Sequence, residues 1–308
     1  MESYAELIAA HAVAMLLLAT GVLLLLTTGL WRLLQRHGSA ATQAAVSRWR
    51  SFAGHPFVRA LTRTCARARG RCPLVSGAVA RVSAVGGYLG VEALLGFTVA
   101  LVASGVFFEL ADEIGLDEDL GRFDDALARG LGAHVSRTVI ERFALITRLG
   151  DFDFLGALCV VVALVLLWRR RWVLAGAWVL STSLGGVLNR VLKALFERAR
   201  PVHEHGLIEA HGWSFPSGHA FGAMLVYGLL GYLIIRGAPR AWHIPVALVT
   251  TSLIVFVGFS RVILQVHYFS DVIAGYASAA AWLAVWIAGL EAVRWRARQS
   301  RSSVPGRA

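Results

Sequence analysis

The sequence predicts an all-α, polytopic membrane helical bundle on three observations: an excess of apolar residues, seven apolar stretches long enough to span a bilayer, and arginines that alternate along the chain. Hydrophobic residues make up 57% of the 308 and charged residues only 16%, with a mean hydropathy of +0.63. A soluble domain carries roughly a quarter charged residues, so this composition excludes an ordinary water-soluble globule. The formal charge of +11 would suit nucleic acid or anionic lipid. The arginines, however, sit in short runs between apolar stretches, where they set topology. The expected partner is the phospholipid bilayer, with no nucleic acid. Cys65, Cys72 and Cys159 show no metal-binding spacing and argue against a disulfide scaffold.

Taken in order, the stretches lie near 11 to 32, 90 to 111, 152 to 169, 172 to 192, 217 to 236, 243 to 262 and 268 to 290, each near the ~20 helical residues that a ~30 Å hydrocarbon layer requires. The first runs apolar from His11 to Leu34; it is longer than a signal-peptide core and lacks a positive leader, so it reads as a retained helix. The third is short but almost wholly apolar from Phe152 to Trp168. The fourth is diluted by Ser181, Thr182, Ser183, Gly185, Gly186 and Asn189, which suits a helix packed against other helices.

Orientation follows from charge. Ten arginines and no acid lie between Arg32 and Arg81, which places that segment in the cytoplasm with an amphipathic piece at the membrane surface. Eight acids and one arginine lie between Glu109 and Asp125; this segment is expected outside, as a solvated loop or an outer-surface helix. Arg169 to Arg171, Arg236 to Arg240 and the tail from Arg294 to Arg301 return to the cytoplasm. Seven alternating helices then leave the N-terminus outside and the C-terminus cytoplasmic. The expected organisation is an N-terminal helix and basic segment over 1–89, a membrane domain over 90–290 and a basic tail over 291–308.

Three polar groups fall on the predicted outer face. Lys193, Arg200 and Pro201 end the fourth helix, and Lys193 is the single lysine among 30 basic residues. A compact ammonium beside a planar guanidinium suits an oxyanion, although a snorkelling pair at a helix end looks the same in sequence. Phe215-Pro216-Ser217-Gly218-His219 opens the fifth helix, whose free N–H groups, with Gly218 for close approach and Ser217 as a hydroxyl donor, can hold an anion. Alone it would be a capped loop with a surface histidine. Ser260-Arg261, His267 and Asp271 form the third group. His267 and Asp271 share a helix face if the seventh helix has begun, and an Asp on one ring nitrogen fixes the tautomer and raises the basicity of the other. The simpler alternative is a His and an Asp satisfying each other. Asp271 is the only Asp among these motifs and the cations would repel a metal, so no metal and no cofactor are expected.

With these motifs the chain resembles the type 2 phosphatidic acid phosphatase (PAP2) superfamily, integral membrane lipid phosphatases related to vanadium haloperoxidases. The resemblance rests on Lys, six residues, Arg-Pro at Lys193 to Pro201; Pro-Ser-Gly-His at Pro216 to His219; and Ser-Arg, five residues, His, three residues, Asp at Ser260 to Asp271. It covers roughly residues 90 to 290 and implies a six-helix core, to which the helix at 11 to 32 is an N-terminal addition. It further implies a hydrolase in which His267 attacks phosphorus to form a phosphohistidine and Asp271 orients its ring. His219 would protonate the leaving oxygen and then activate water, while Lys193, Arg200, Ser217, the Gly218 backbone and Arg261 hold the phosphate oxygens. The implied substrates are an undecaprenyl or other polyprenyl diphosphate, phosphatidic acid or phosphatidylglycerol phosphate. A lipid phosphotransferase using the same phosphohistidine, or a lipid transporter without hydrolysis, is the alternative.

Overall fold

The computed structural model describes residues 2–53, 88–114, 118–201 and 210–302. The described elements are helices: α1 (Glu2–Ala10), α2 (Ala12–Ala53), α3 (Tyr88–Asp112), α4 (Asp119–His134), α5 (Arg137–Thr147), α6 (Phe152–Trp168), α7 (Trp172–Phe196), α8 (Gly218–Gly237), α9 (His243–Ile263) and α10 (Phe269–Ser302). Two compact units are present, Met1–Gly29 with Val99–Trp286, and Leu30–Thr98 with Ile287–Ala308. Much of the basic segment up to Arg81, including Cys65 and Cys72, lies outside the described residues. The polar site described below lies in the first unit.

Seven helical stretches are long and apolar enough to cross a membrane, and they correspond one for one with the seven read from sequence: Ala12–Leu33, Leu95–Asp112, Arg137–Trp168, Trp172–Phe196, Gly218–Gly237, Arg240–Ile263 and Phe269–Arg294. Their outward residues are apolar, as with Leu25, Phe97, Leu101, Val160 and Leu164, which lipid tolerates as well as a protein interior does. The third stretch differs from its sequence reading. Its apolar run is α6, but α5 and a 3₁₀ turn at Arg148–Gly150 precede it. These are too polar to announce a span, yet α5 packs on α9, burying Ile140, Phe143 and Thr147.

The acidic segment is the second difference. Asp119 to His134 form α4, whose buried face carries Gly121, Asp124, Ala126, Leu127, Gly130 and Leu131. That face packs on α1, where Ala5 and Ala9 are buried. The two backbones lie so close that a β-carbon at Gly130 would come within 2.7 Å of Ala9 Cβ. From Asp119 to Asp125 the segment is therefore helix and not a solvated loop, and the helical spacing of Asp124, Leu127 and Leu131 places Asp124 on the apolar stripe.

α8, α9 and α10 bring the motifs together. α7 ends where Glu197 enters the left-handed region at φ 44°, which releases the chain into Arg198 to Pro201. Below the start of α8, Phe107, Phe196 and Phe215 stack edge to face or tilted, with centroids 5.1 to 5.8 Å apart.

Candidate active site

His267 lies in the short turn between α9 and α10, 3% exposed, with Asp271 completely buried in the first turn of α10. Arg200 Nη1 sits 3.1 Å from His267 Nε2. A guanidinium can only donate, so Nε2 accepts and the ring proton belongs on Nδ1. Nδ1 in turn faces Asp271 Oδ2 at 3.3 Å and Ser214 Oγ at 3.2 Å, while Ser214 Oγ donates to Asp271 Oδ2. The Tyr268 amide also donates to that oxygen at 2.9 Å. Burial pushes the His267 imidazole down to about 3, against the pull of Asp271 and with the help of the Arg261 and Arg200 charges. The ring is neutral, its tautomer is set, and its Nε2 lone pair faces a cation.

The cations are held by main-chain carbonyls. Lys193 Nζ donates to Trp213 O at 2.7 Å and Ser214 O at 3.1 Å. Arg200 donates through Nε to Gly212 O at 2.9 Å and through Nη2 to His211 O and Trp213 O at 3.1 and 3.2 Å. Its Nη1 also reaches Val266 O at 2.6 Å. Both cations thus converge on the strip of chain leading into α8. Arg261 is 4% exposed; its Nη1 donates to Thr147 Oγ1 at 2.8 Å, and its Nε has no hydrogen-bond partner among the described residues. The Arg261 charge acts on Lys193, His219 and His267 alike, so the three motifs share one electrostatic neighbourhood.

At the start of α8, Ser217 is the N-cap and accepts from Ala220 N, and its own amide donates to Asp271 O at 2.9 Å. This bond ties the α8 turn to α10. A β-carbon on Gly218 would meet Asn189 Oδ1 at 3.3 Å and Lys193 Cε at 3.7 Å, so glycine is what allows α7 this close. The Asn189 Nδ2 in the same contact is buried without a partner. His219 follows in the first turn, and its Nε2 faces Asp151 Oδ1 at 2.9 Å. At Gly150 a β-carbon would lie 2.9 Å from His219 Cδ2 and 2.4 Å from Val257 Cγ1; the ring occupies the space glycine leaves.

All eight residues singled out in sequence, Lys193, Arg200, Ser217, Gly218, His219, Arg261, His267 and Asp271, thus lie in one region of the first unit. Sequence reasoning missed Ser214, Asp151, Thr147, Arg198 and Asp124. Ser214 directly precedes the Phe-Pro-Ser-Gly-His motif, Arg198 lies two residues before Arg200, and Asp151 is an acid at the mouth of an apolar run; each was a legible signal. Arg198 donates from Nη1 to Asp271 Oδ1 at 2.7 Å and from Nη2 to Asp124 Oδ2 at 2.9 Å. Burial pushes the Asp124 carboxyl up, with Arg198 and Ser270 pulling against it. Among the described residues no three His, Cys, Asp or Glu side chains group so as to hold a metal ion.

This arrangement offers an imidazole with a cationic hydrogen-bond donor, able to bind an anion, on its Nε2, and a second histidine paired with a more exposed carboxylate. Residues 174–295 match the family model described as the PAP2 superfamily. Phosphatidylglycerophosphatase B of Bacillus subtilis (strain 168) is 34% identical over 133 residues, 42% of this chain and 65% of the relative; the chain spans just under two thirds of that protein's length. The crystal structure of a transmembrane PAP2-type phosphatidylglycerolphosphate phosphatase from Bacillus subtilis overlays with a TM-score of 0.59 at 27% identity, covering 63% of this chain and 96% of that one. Residues 174–295 are therefore similar to the PAP2 superfamily, and the helical fold around them is similar to that of a PAP2-type membrane phosphatase.

Proposed function

We propose that this protein is a metal-independent lipid phosphatase that works through a phosphohistidine at the extracytoplasmic face of the membrane. The observation that carries the reading is the His267 environment: a buried neutral ring, proton on Nδ1, with the Arg200 guanidinium 3.1 Å from Nε2. A phosphoryl group drawn to Arg200 arrives within bonding reach of that lone pair. As the Arg200 N–H groups turn onto the phosphate oxygens, Nε2 is freed to attack.

In the first step the Nε2 lone pair forms the N–P bond while the P–O bond to the lipid breaks, and the leaving oxygen takes a proton from His219. The ring becomes cationic, and Asp271, on Nδ1, stabilises it. In the second step water attacks phosphorus, His219 takes its proton, and the N–P bond breaks to return neutral His267. Lys193, Arg200, Arg261, Ser217 and the Gly218 amide would carry the equatorial oxygens as charge develops. The arginine pattern supports an outer-facing site and a cytoplasmic C-terminus.

The substrate class is an amphiphilic phosphate whose tail remains in lipid. The B. subtilis relatives favour a glycerolipid phosphate such as phosphatidylglycerol phosphate, with polyprenyl diphosphates as the competing class. Purified protein in detergent, given both classes with chelator present, is expected to release phosphate and to show an acid-labile phosphoenzyme on rapid quench. Phosphate release that depends on added metal would defeat the metal-independent reading. Transfer of phosphate to an added acceptor alcohol in preference to water would identify a phosphotransferase.

A further inference from the structure

Neither Arg198, a spacer residue of the first motif, nor Asp124 is a defining position of the three motifs, yet their link touches the partner of His267. Asp271 has two carboxylate oxygens with separate tasks. Oδ2 collects Ser214, the Tyr268 amide and His267, whereas the hydrogen bond on Oδ1 comes from Arg198 at 2.7 Å. The same Nη1 also reaches Ser270 Oγ at 2.7 Å. Nη2 passes the connection to Asp124, whose two oxygens accept from the Ser270 amide at 3.1 Å and from the Ser270 hydroxyl. The guanidinium lies over the Tyr268 ring, 4.2 Å from its centroid. The side chain of Arg198 is 8% exposed and those of both carboxylates are fully buried, so this is no solvated surface pair.

We infer that Arg198 and Asp124 are positioning residues for the nucleophile: the Asp124–Arg198 pair grips Asp271 Oδ1 and thereby sets the plane in which Oδ2 meets His267 Nδ1. The inference rests on the phosphatase reading. Three separate pieces of chain contribute: α4 with Asp124, the turn after α7 with Arg198, and the start of α10 with Tyr268, Ser270 and Asp271. The His267–Asp271 contact of 3.3 Å is long for a hydrogen bond, so a small rotation of the carboxylate would lose it. Arg198 also spreads its charge over two buried carboxylates. Without it, the two buried carboxylates would lose the cation they share. α4 cannot drift to relieve this, because Gly130 is pressed against Ala9 of α1. α1, packed on α4, thereby holds the far anchor of the link.

The test is steady-state and rapid-quench kinetics on the full-length protein in detergent, using whichever lipid phosphate the wild type hydrolyses, with melting temperature recorded beside them. Arg198→Gln is expected to lower kcat and the phosphoenzyme formation rate by about 10- to 100-fold, the range for a displaced orienting partner, with KM within about threefold of wild type. Arg198→Lys should recover part of the rate by restoring the charge without the two-sided grip. Asp124→Asn should slow the same step less, and added to Arg198→Gln it should cost no further rate, because both act through one link. If Arg198→Gln does not fold, Arg198→Lys and Asp124→Asn carry the test alone. A phosphoenzyme formation rate equal to wild type in the folded variants, whatever their melting temperature, would overturn the inference and leave a purely structural ion pair. An inactive wild type would overturn the phosphatase reading and this inference together. Wild-type turnover with unaffected variants would overturn this inference alone.

Discussion

The site contains two His–Asp pairs, and they are built in opposite ways. His267 and Asp271 are 2% and 0% exposed at their side chains, while His219 and Asp151 are 21% and 48% exposed. Asp271 is gripped from both sides by Arg198, Ser214 and the Tyr268 amide; Asp151 meets His219 at 2.9 Å near solvent. The difference matches what the proposed covalent mechanism requires of each member. A nucleophile gains from being held neutral, oriented and away from competing water. An acid that later becomes a base must exchange protons and admit a water molecule. The same two residue types thus diverge through burial and through the partners that hold the carboxylate.

Removing each histidine separates the pairs most strongly. His267→Ala is expected to lower turnover by about 10⁴-fold or more and to leave no phosphoenzyme; full turnover would sink its assignment as nucleophile. His219→Ala should cost about 10²- to 10⁴-fold, in both half reactions. With an aryl phosphate, whose leaving group needs no proton, the first step should recover and phosphoenzyme should accumulate. An unchanged rate of phosphoenzyme hydrolysis in this variant would exclude His219 as the base.

The same substitution in the two carboxylates sharpens the contrast at smaller magnitude. Asp271→Asn offers an amide where Nδ1 needs an acceptor, so the wrong tautomer is favoured and the rate should fall by about 10³-fold. Asp151→Asn breaks a half-exposed pair worth at most about 1 kcal/mol, so its effect should stay within roughly fivefold. Equal losses at the two positions, measured as kcat/KM on one substrate, would mean that burial does not distinguish the pairs.

The parts of this site legible in sequence were those fixed by local pattern. Hydropathy placed the seven spans, and Pro216 with Gly218 marked the start of α8. The spacing of His267 and Asp271 anticipated an i,i+4 pair, although His267 stands just before α10 begins. What escaped was tertiary. Thr147 lies in α5, a helix too polar to be read as part of a span, and only the fold brings it to Arg261 across 114 positions. Asp124 was one acid among eight between Glu109 and Asp125. Its place between Gly121 and Leu127 on the apolar stripe of α4 was readable, but its partner Arg198 lies 74 residues away. The two differ from the motif residues in depending on long-range pairing that no local rule encodes.

A different kind of effect concerns stability in acid, and its sign follows from His267. In the folded protein its imidazole titrates at about 3, against 6.5 for the free group. As pH falls below the free value, the unfolded chain takes up a proton that the folded site refuses, so the unfolded state gains. The contribution of a depressed group is complete above its unfolded value and is lost as pH falls toward its folded one. His267 should therefore drain stability progressively from about pH 6.5 downward toward about 3. His267→Gln removes that titration while keeping a polar side chain of similar length. Its melting temperature in detergent should fall less steeply with acid than that of the wild type over this window. Matching slopes would mean that the buried ring does not resist protonation, and the sheltered pair would lose the property that sets it apart from His219 and Asp151.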